Sequence, residues 1–141
     1  MGNPQLIERL ANIAPRNTEV VEVGIGQRFT IAEGLADRGR SVMGVDVVPL
    51  ELPKSIDFVR DDITSPTLEI YSDASLIYGL RCPPELQRPL VELSATVGAS
   101  CRFTTLGFES SIIPTTTKTC DGVSLHAPSE NPTANRFSEP F

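Results

Sequence analysis

The chain is poor in the residues that disulfide, metal and nucleic-acid chemistry draw on. It holds no tryptophan, one histidine (His126), two lysines (Lys54 and Lys118) and three cysteines (Cys82, Cys101 and Cys120). An odd set of cysteines with no Cys-x-x-Cys pair frames neither a disulfide scaffold nor a zinc site, so idle or buried thiols are expected and no metal. A formal net charge of −6 and a pI near 4.7 leave no excess of Lys and Arg to hold phosphate backbones, and direct binding to nucleic acid is not expected. No basic amphipathic stripe points to a membrane surface. No run approaches the roughly 18 apolar residues of a membrane span, and no cationic start leads into an apolar segment, so a cytoplasmic location is the expectation. His126 lacks an identifiable orienting acid for work as a general base. Neither a Ser/His/Asp order nor an internal repeat is present.

What is there suits one globular domain, with 141 residues of which 40% are apolar, enough to bury a proper core. Asn3, with Pro4 at the first helical position, opens a helix over 3–14 in which Leu6, Leu10 and Ile13 share a face, and Pro15 ends it. That face is expected to pack on a sheet, with a dimer contact as the other use. The strand 20–23 runs straight into Gly24-Ile25-Gly26 and then into a helical pattern capped by Thr30, which continues through Ile31, Ala32, Leu35 and Ala36 to a stop at Gly39. Glycines without a Cβ let the backbone turn sharply and approach a ligand, and the following helix aims its free N–H groups at the same point. A dinucleotide fingerprint wants a third glycine where Phe29 stands, which counts against NAD.

The next strand, 42–48, is apolar on both faces, as for a parallel strand covered on each side. Asp46 lies near its carboxyl end, about twenty residues beyond the glycines, where a carboxylate can accept hydrogen bonds from both ribose hydroxyls. Its other reading is a solvated residue entering the turn at Pro49. A third strand, 56–60, ends in Asp61-Asp62-Ile63, again carboxylates at the edge where open α/β sheets bind ligands; alternatively one of them caps the short segment around Ser65 to Leu68. The link 49–55, broken by Pro49 and Pro53, is too short for a crossover helix, leaving one wall of a pocket thin or supplied by a partner subunit.

A fourth strand, 75–80, carries Tyr78 and leads into Arg81-Cys82-Pro83-Pro84-Glu85. Arg81 offers a planar fork of donors suited to a carboxylate or phosphate, or else pairs at the surface with Glu85 or Asp73. A helix follows through Leu86, Leu90, Val91 and Leu93 to Gly98, with Pro89 in its first turn or at a kink. The fifth strand covers 101–106. After Gly107 the chain turns polar; Val123, Leu125 and Ala127 alternate as in one edge strand, and 129–141 hold too few apolar groups to pack. One domain over 1–128 and a disordered tail over 129–141 are expected.

These elements predict an α/β fold, a Rossmann-like three-layer αβα sandwich with a mostly parallel sheet of five to six strands. Val-Glu-Val-Gly-Ile-Gly, with Glu22 two positions before the first glycine, resembles the acidic-x-Gly-x-Gly motif of class I S-adenosylmethionine (SAM) methyltransferases. With Gly-Val-Asp, Asp-Asp-Ile and Leu-Ile-Tyr-Gly-Leu-Arg-Cys-Pro-Pro-Glu-Leu, the stretch 17–107 is similar to the core of that fold. It resembles most closely a compact, functionally uncharacterised archaeal family that has it. The resemblance implies that Glu22, Gly24 and Gly26 serve the methionine part of SAM, that Asp46 holds the ribose, and that Asp62 rather than Asp61 meets the adenine amino group. It implies too that Tyr78 and Arg81 serve the pocket at the end of the fourth strand, Arg81 toward the methionine carboxylate or an anionic second ligand. Amino-directed methyltransferases often carry Asn or Asp before Pro-Pro-aromatic, a pattern from which Arg81-Cys82-Pro83-Pro84-Glu85 departs. A sixth and seventh strand and a substrate-recognition region are expected to be largely missing. Three functions stand: a SAM-binding, methyltransferase-like protein of unknown acceptor; an NAD-type nucleotide-binding domain; or a non-catalytic ligand-sensing or interaction module. A nucleotide-like small molecule and a second copy of the chain are the partners considered.

Overall fold

A computed structural model describes residues 2–107 and 109–129. Its elements are α1 (Pro4–Ile13), β1 (Glu19–Val23), α2 (Thr30–Asp37), β2 (Ser41–Asp46), β3 (Ile56–Arg60), a 3-10 turn (Leu68–Tyr71), β4 (Ala74–Cys82), α3 (Pro84–Val97), β5 (Ser100–Thr105), β6 (Thr115–Cys120) and β7 (Val123–Pro128). All strands join one sheet in the order β3-β2-β1-β4-β5-β7-β6. The first five run parallel, and β7 is antiparallel to both β5 and β6. The Rossmann-like α/β architecture is therefore as expected, with seven strands instead of five or six.

The added strand is β6. Its sequence, Thr-Thr-Thr-Lys-Thr-Cys, has no apolar alternation, yet threonine suits an extended, half-solvated ladder. Because β6 forms the edge, β7 sits inside the sheet between β5 and β6 and is not the edge strand its alternation suggested. The sixth and seventh strands are thus present, as a tight hairpin turned by Asp121 and Gly122, both at positive φ (51° and 78°).

Alternate residues of each central strand feed two cores. Val20 and Leu76 face Leu6, Leu10, Ile31 and Leu35 of α1 and α2. Val21 and Ile77 face Leu90 and Leu93 of α3 and Tyr71 of the 3-10 turn. No helix crosses between β2 and β3; instead Leu50 and Leu52 of that link pack onto the first core. Gly44 makes room for this packing, since a Cβ there would lie 2.7 Å from Ile25 Cδ1 and 2.8 Å from Leu52 Cδ2. The chain's own leucines therefore cover the sheet at this point.

Local details differ from expectation at three helix ends. Phe29, without a side-chain cap, precedes α2, and Thr30 is its first residue. Helix α3 starts at Pro84 and carries Pro89 inside it, since a proline at the first position gives up only an N–H that has no helical partner. Asn3 gives α1 no side-chain cap either. The Asp121 carboxylate caps it from across the molecule, accepting the Gln5 N–H at 2.7 Å while Gln5 Oε1 accepts the Asp121 N–H at 2.7 Å. At the other end Arg40 donates to the Ala11 and Ala14 carbonyls. Pairing extends to Ser129, whose N–H donates to the Pro114 carbonyl at 2.9 Å. The expected tail beyond it lies outside the described residues.

The reciprocal Gln5–Asp121 pair ties the β6–β7 tip to the first helix. Replacing Asp121 with Ala removes a cap and leaves alanine at positive φ, for an expected loss of about 1–2 kcal/mol in urea unfolding; Asp121→Asn, which still accepts and tolerates that backbone, should lose less than half as much.

Candidate functional site

The chain leaves β1 for α2 on one face of the sheet and leaves β4 for α3 on the other, although β1 and β4 are neighbours. Their carboxyl ends are consequently left uncovered, as at the reversal point of open parallel sheets. A cavity of about 140 Å³ opens there, lined by Gly24, Asp46, Asp62, Leu80, Arg81 and Cys82 among others.

Gly24 and Gly26 adopt φ of 65° and 57°. A Cβ on Gly24 would meet nothing within 4 Å, so the requirement for glycine there comes from the backbone and the space above it is open. The loop is pinned to the end of β2: Gly24 N–H donates to the Val45 carbonyl at 2.7 Å, and Gly26 N–H to Asp46 Oδ2 at 3.0 Å. Asp46 Oδ1 accepts the Val48 N–H at 3.3 Å. Asp46 thus has a structural task in this state, holding the glycine turn against the next strand.

The two carboxylates after β3 divide. Asp61 is consumed by structure, accepting the Tyr71 hydroxyl at 2.6 Å together with the backbone and hydroxyl of Thr67. Burial and the neighbouring carboxylates push the Tyr71 phenol well up, so it remains a donor. Asp62 is exposed, with one oxygen taken by the hydroxyl and backbone N–H of Thr64, which hold its carboxyl below the usual range. Both line the cavity.

Among the described residues Arg81 is the only cationic one in that lining. It sits at φ 52°, where the register of β4 against β5 breaks between Gly79 and Cys82, a bulge that re-aims the strand's end. Its N–H is caught by the Thr104 hydroxyl at 2.8 Å. Among the described residues no ion pair with Glu85 or Asp73 holds its guanidinium. Beside it Cys82 is buried, and burial together with Glu85 pushes its thiol up to about 11, so it is a wall and not a nucleophile.

Of the site candidates, Glu22, Gly26 and Tyr78 are not in the cavity lining, and Glu22 and Tyr78 are enclosed beneath it. They face each other across β1 and β4, 2% and 0% exposed, with the Tyr78 hydroxyl donating to Glu22 Oε1 at 2.7 Å. Burial raises the Glu22 carboxyl to about 8, the Tyr78 hydrogen bond opposing part of the rise. A side chain so enclosed reaches a ligand only through the turn it supports, two residues on. Gly24, Asp46, Asp62 and Arg81 are brought together around the cavity, with Gly26 one hydrogen bond away. Sequence reasoning missed Thr104, whose only signal is a hydroxyl on the strand beside Arg81. His126, in β7, bonds Thr115 through Nδ1 at 2.9 Å and lies away from this cavity.

UPF0146, an uncharacterised protein family, matches residues 4–123, and the chain belongs to it. A UPF0146 protein of the archaeon Halobacterium salinarum is 45% identical over 105 residues, which cover 74% of this chain and 81% of that one. Among solved structures, an RNA methyltransferase from Salinibacter ruber in complex with S-adenosyl-L-homocysteine superposes with a TM-score of 0.62 at 15% identity, covering 92% of this chain and 94% of its own. A proposed Zn-dependent alcohol dehydrogenase from Rhodobacter sphaeroides gives a TM-score of 0.54 at 22% identity, covering 74% of this chain and 47% of its own. At such identities the likeness establishes the fold alone. Among the described residues, no helix is long and apolar enough to cross a membrane.

The buried carboxyl generates a pH dependence. Unfolded, Glu22 loses its proton near 4.5; folded, it keeps it to about 8. Between those values the unfolded state binds fewer protons, so stability is greatest at the acid side of the window and falls as pH rises through it, by on the order of a few kcal/mol. Glu22→Gln, which can still accept from Tyr78, should flatten this fall in urea unfolding measured across the window, and be the more stable protein at its alkaline end.

Proposed function

We propose that this UPF0146 member binds S-adenosylmethionine in the cavity between β1 and β4, as a methyltransferase-like protein of the archaeal cytoplasm. The observation that carries the reading is the pair of glycines at positive φ, open above and joined through Gly26 to a carboxylate at the end of β2. In this reading Gly24 and Gly26 admit the methionine portion, Asp46 turns from the Gly26 N–H to the ribose hydroxyls, and Asp62 offers its free oxygen to the adenine amino group. Arg81 takes the methionine carboxylate, the one anionic group of the ligand, as a forked donor suits. Glu22 and Tyr78 act from behind, keeping the strand end and its turn in place.

The cavity volume sets a condition on this reading. About 140 Å³ is below the several hundred Å³ of an ordinary small-molecule site. A nucleoside fits when the Asp46–Gly26 contact opens and the base lies over the exposed Val47 and Val48, which are 54% and 49% accessible. Phe29 speaks against NAD: it packs on the first core at the start of α2, where a dinucleotide fold needs close approach of helix and strand. Methyl transfer requires chiefly that the sulfonium carbon be aligned with a nucleophile, so the small number of ionisable groups is no obstacle to it.

Calorimetric titration tests this. S-adenosylhomocysteine should bind at micromolar concentration and NAD⁺ should not; Asp46→Ala should weaken the first at least tenfold, about 1.4 kcal/mol. Arg81→Leu should weaken S-adenosylhomocysteine while leaving adenosine, which has no carboxylate, within a factor of two. Equal losses for both ligands would remove Arg81 from the carboxylate role, and binding of NAD⁺ alone would overturn the reading.

A further inference from the structure

Among the described residues no helix covers the sheet between β5 and β6 on the α3 side, where the link between those strands packs Ile113. Beneath that link, at the same carboxyl edge of the sheet, lies a second and larger cavity of about 510 Å³. Thr104 joins the two: it is among the residues that line this cavity, and its hydroxyl holds the N–H of Arg81, which lines the first. Gln87, fully buried in α3, fixes the roof by accepting the Ile112 N–H at 2.9 Å and the Ser111 hydroxyl at 3.1 Å.

The lining differs in kind from that of the first cavity. Among the described lining residues Thr104, Thr105, Ser110 and Ser124 carry hydroxyls, that of Thr105 donating to the Glu109 carbonyl at 2.6 Å, and none is a lysine or arginine. The single carboxylate, Glu109, is exposed on the link. His126 forms part of the wall, 6% exposed, its ring stacked on Phe103 at 5.3 Å between centroids and its Nδ1 paired with Thr115 at 2.9 Å. Burial lowers the imidazole's pKa from its ordinary 6.5, so at neutral pH it is an uncharged hydrogen-bonding group. An anion would meet no countercharge among the described lining residues, and a charge that leaves water without a partner is costly. A neutral polar ligand meets the hydroxyls of Ser110 and Ser124 and the imidazole of His126.

We infer that this second cavity is a binding site for a small, uncharged, hydroxyl-bearing molecule, the second ligand of the protein. That this ligand is the methyl acceptor rests on the function proposed above; that it binds here does not. Thr104 makes the two sites neighbours, lining the second and holding through its hydroxyl the bulged Arg81 that lines the first.

The test is a nitrogen-15 NMR titration of the whole chain with ribose, ribose 5-phosphate and inorganic phosphate, followed by the same series with S-adenosylhomocysteine. Ribose should shift the amides of Thr105, Ser124 and His126 saturably, and the two phosphates should bind at least tenfold more weakly. Ser124→Trp, which fills the cavity, should abolish the ribose shifts while changing S-adenosylhomocysteine affinity less than twofold; Ser110→Trp on the exposed link serves if the first variant does not fold. No saturable shift with ribose, or phosphate forms binding as tightly, would overturn the inference. Loss of S-adenosylhomocysteine binding with ribose shifts intact would instead overturn the function proposed above and leave this site standing.

Discussion

The site depends on one topological constraint: β1 and β4 lie side by side, while the chain leaves them on opposite faces. Neither connection can then cross above the shared edge, so the carboxyl ends of both strands stay open to a ligand. The two cores on either side hold that edge in place, since Val20 and Val21 are both fully buried and pull β1 into opposite layers. What the protein presents at the opening is decided by a handful of residues at strand ends.

Those residues are fixed by polar pairs. Both tyrosines of the chain lie next to a carboxylate: Tyr78 bonds Glu22 under the glycine turn, and Tyr71 bonds Asp61 beside the end of β3. Asp46 clasps the turn through Gly26, and Thr104 holds the bulge at Arg81. Each pair satisfies a group that would otherwise be orphaned at the boundary between core and opening. Asp46 differs from the others because its partner is a backbone N–H on an exposed loop, so a ligand hydroxyl can compete for its oxygens at modest cost.

Much of this was legible from the residues alone. The direct run of 20–23 into two glycines, Asp46 at the next strand end and Asp61-Asp62 after the third place a crevice at one edge, and Gly24, Asp46, Asp62 and Arg81 do meet there. The structural duties of Asp61 and Asp62 at Thr67 and Thr64 were likewise open as the capping alternative. That Glu22 and Tyr78 are buried against each other was not legible, because a parallel strand buried on both faces carries no alternation to say which residues point where. Strand β6 escaped detection because its Thr-Thr-Thr-Lys-Thr-Cys has no apolar alternation, and β4 ran longer than its apolar stretch because the Arg81 bulge lets a polar residue continue the strand. The larger cavity has no motif at all; it lies where, among the described residues, no helix covers the sheet between β5 and β6.

The most direct test of the account is whether the glycine turn itself feels the ligand. In a nitrogen-15 NMR spectrum, S-adenosylhomocysteine should move the amides of Gly24, Gly26 and Val48 most, the last two because Asp46 must release them to take the ribose. Binding that leaves those three resonances in place while shifting others would contradict the account, because the ligand would then occupy some other part of the molecule.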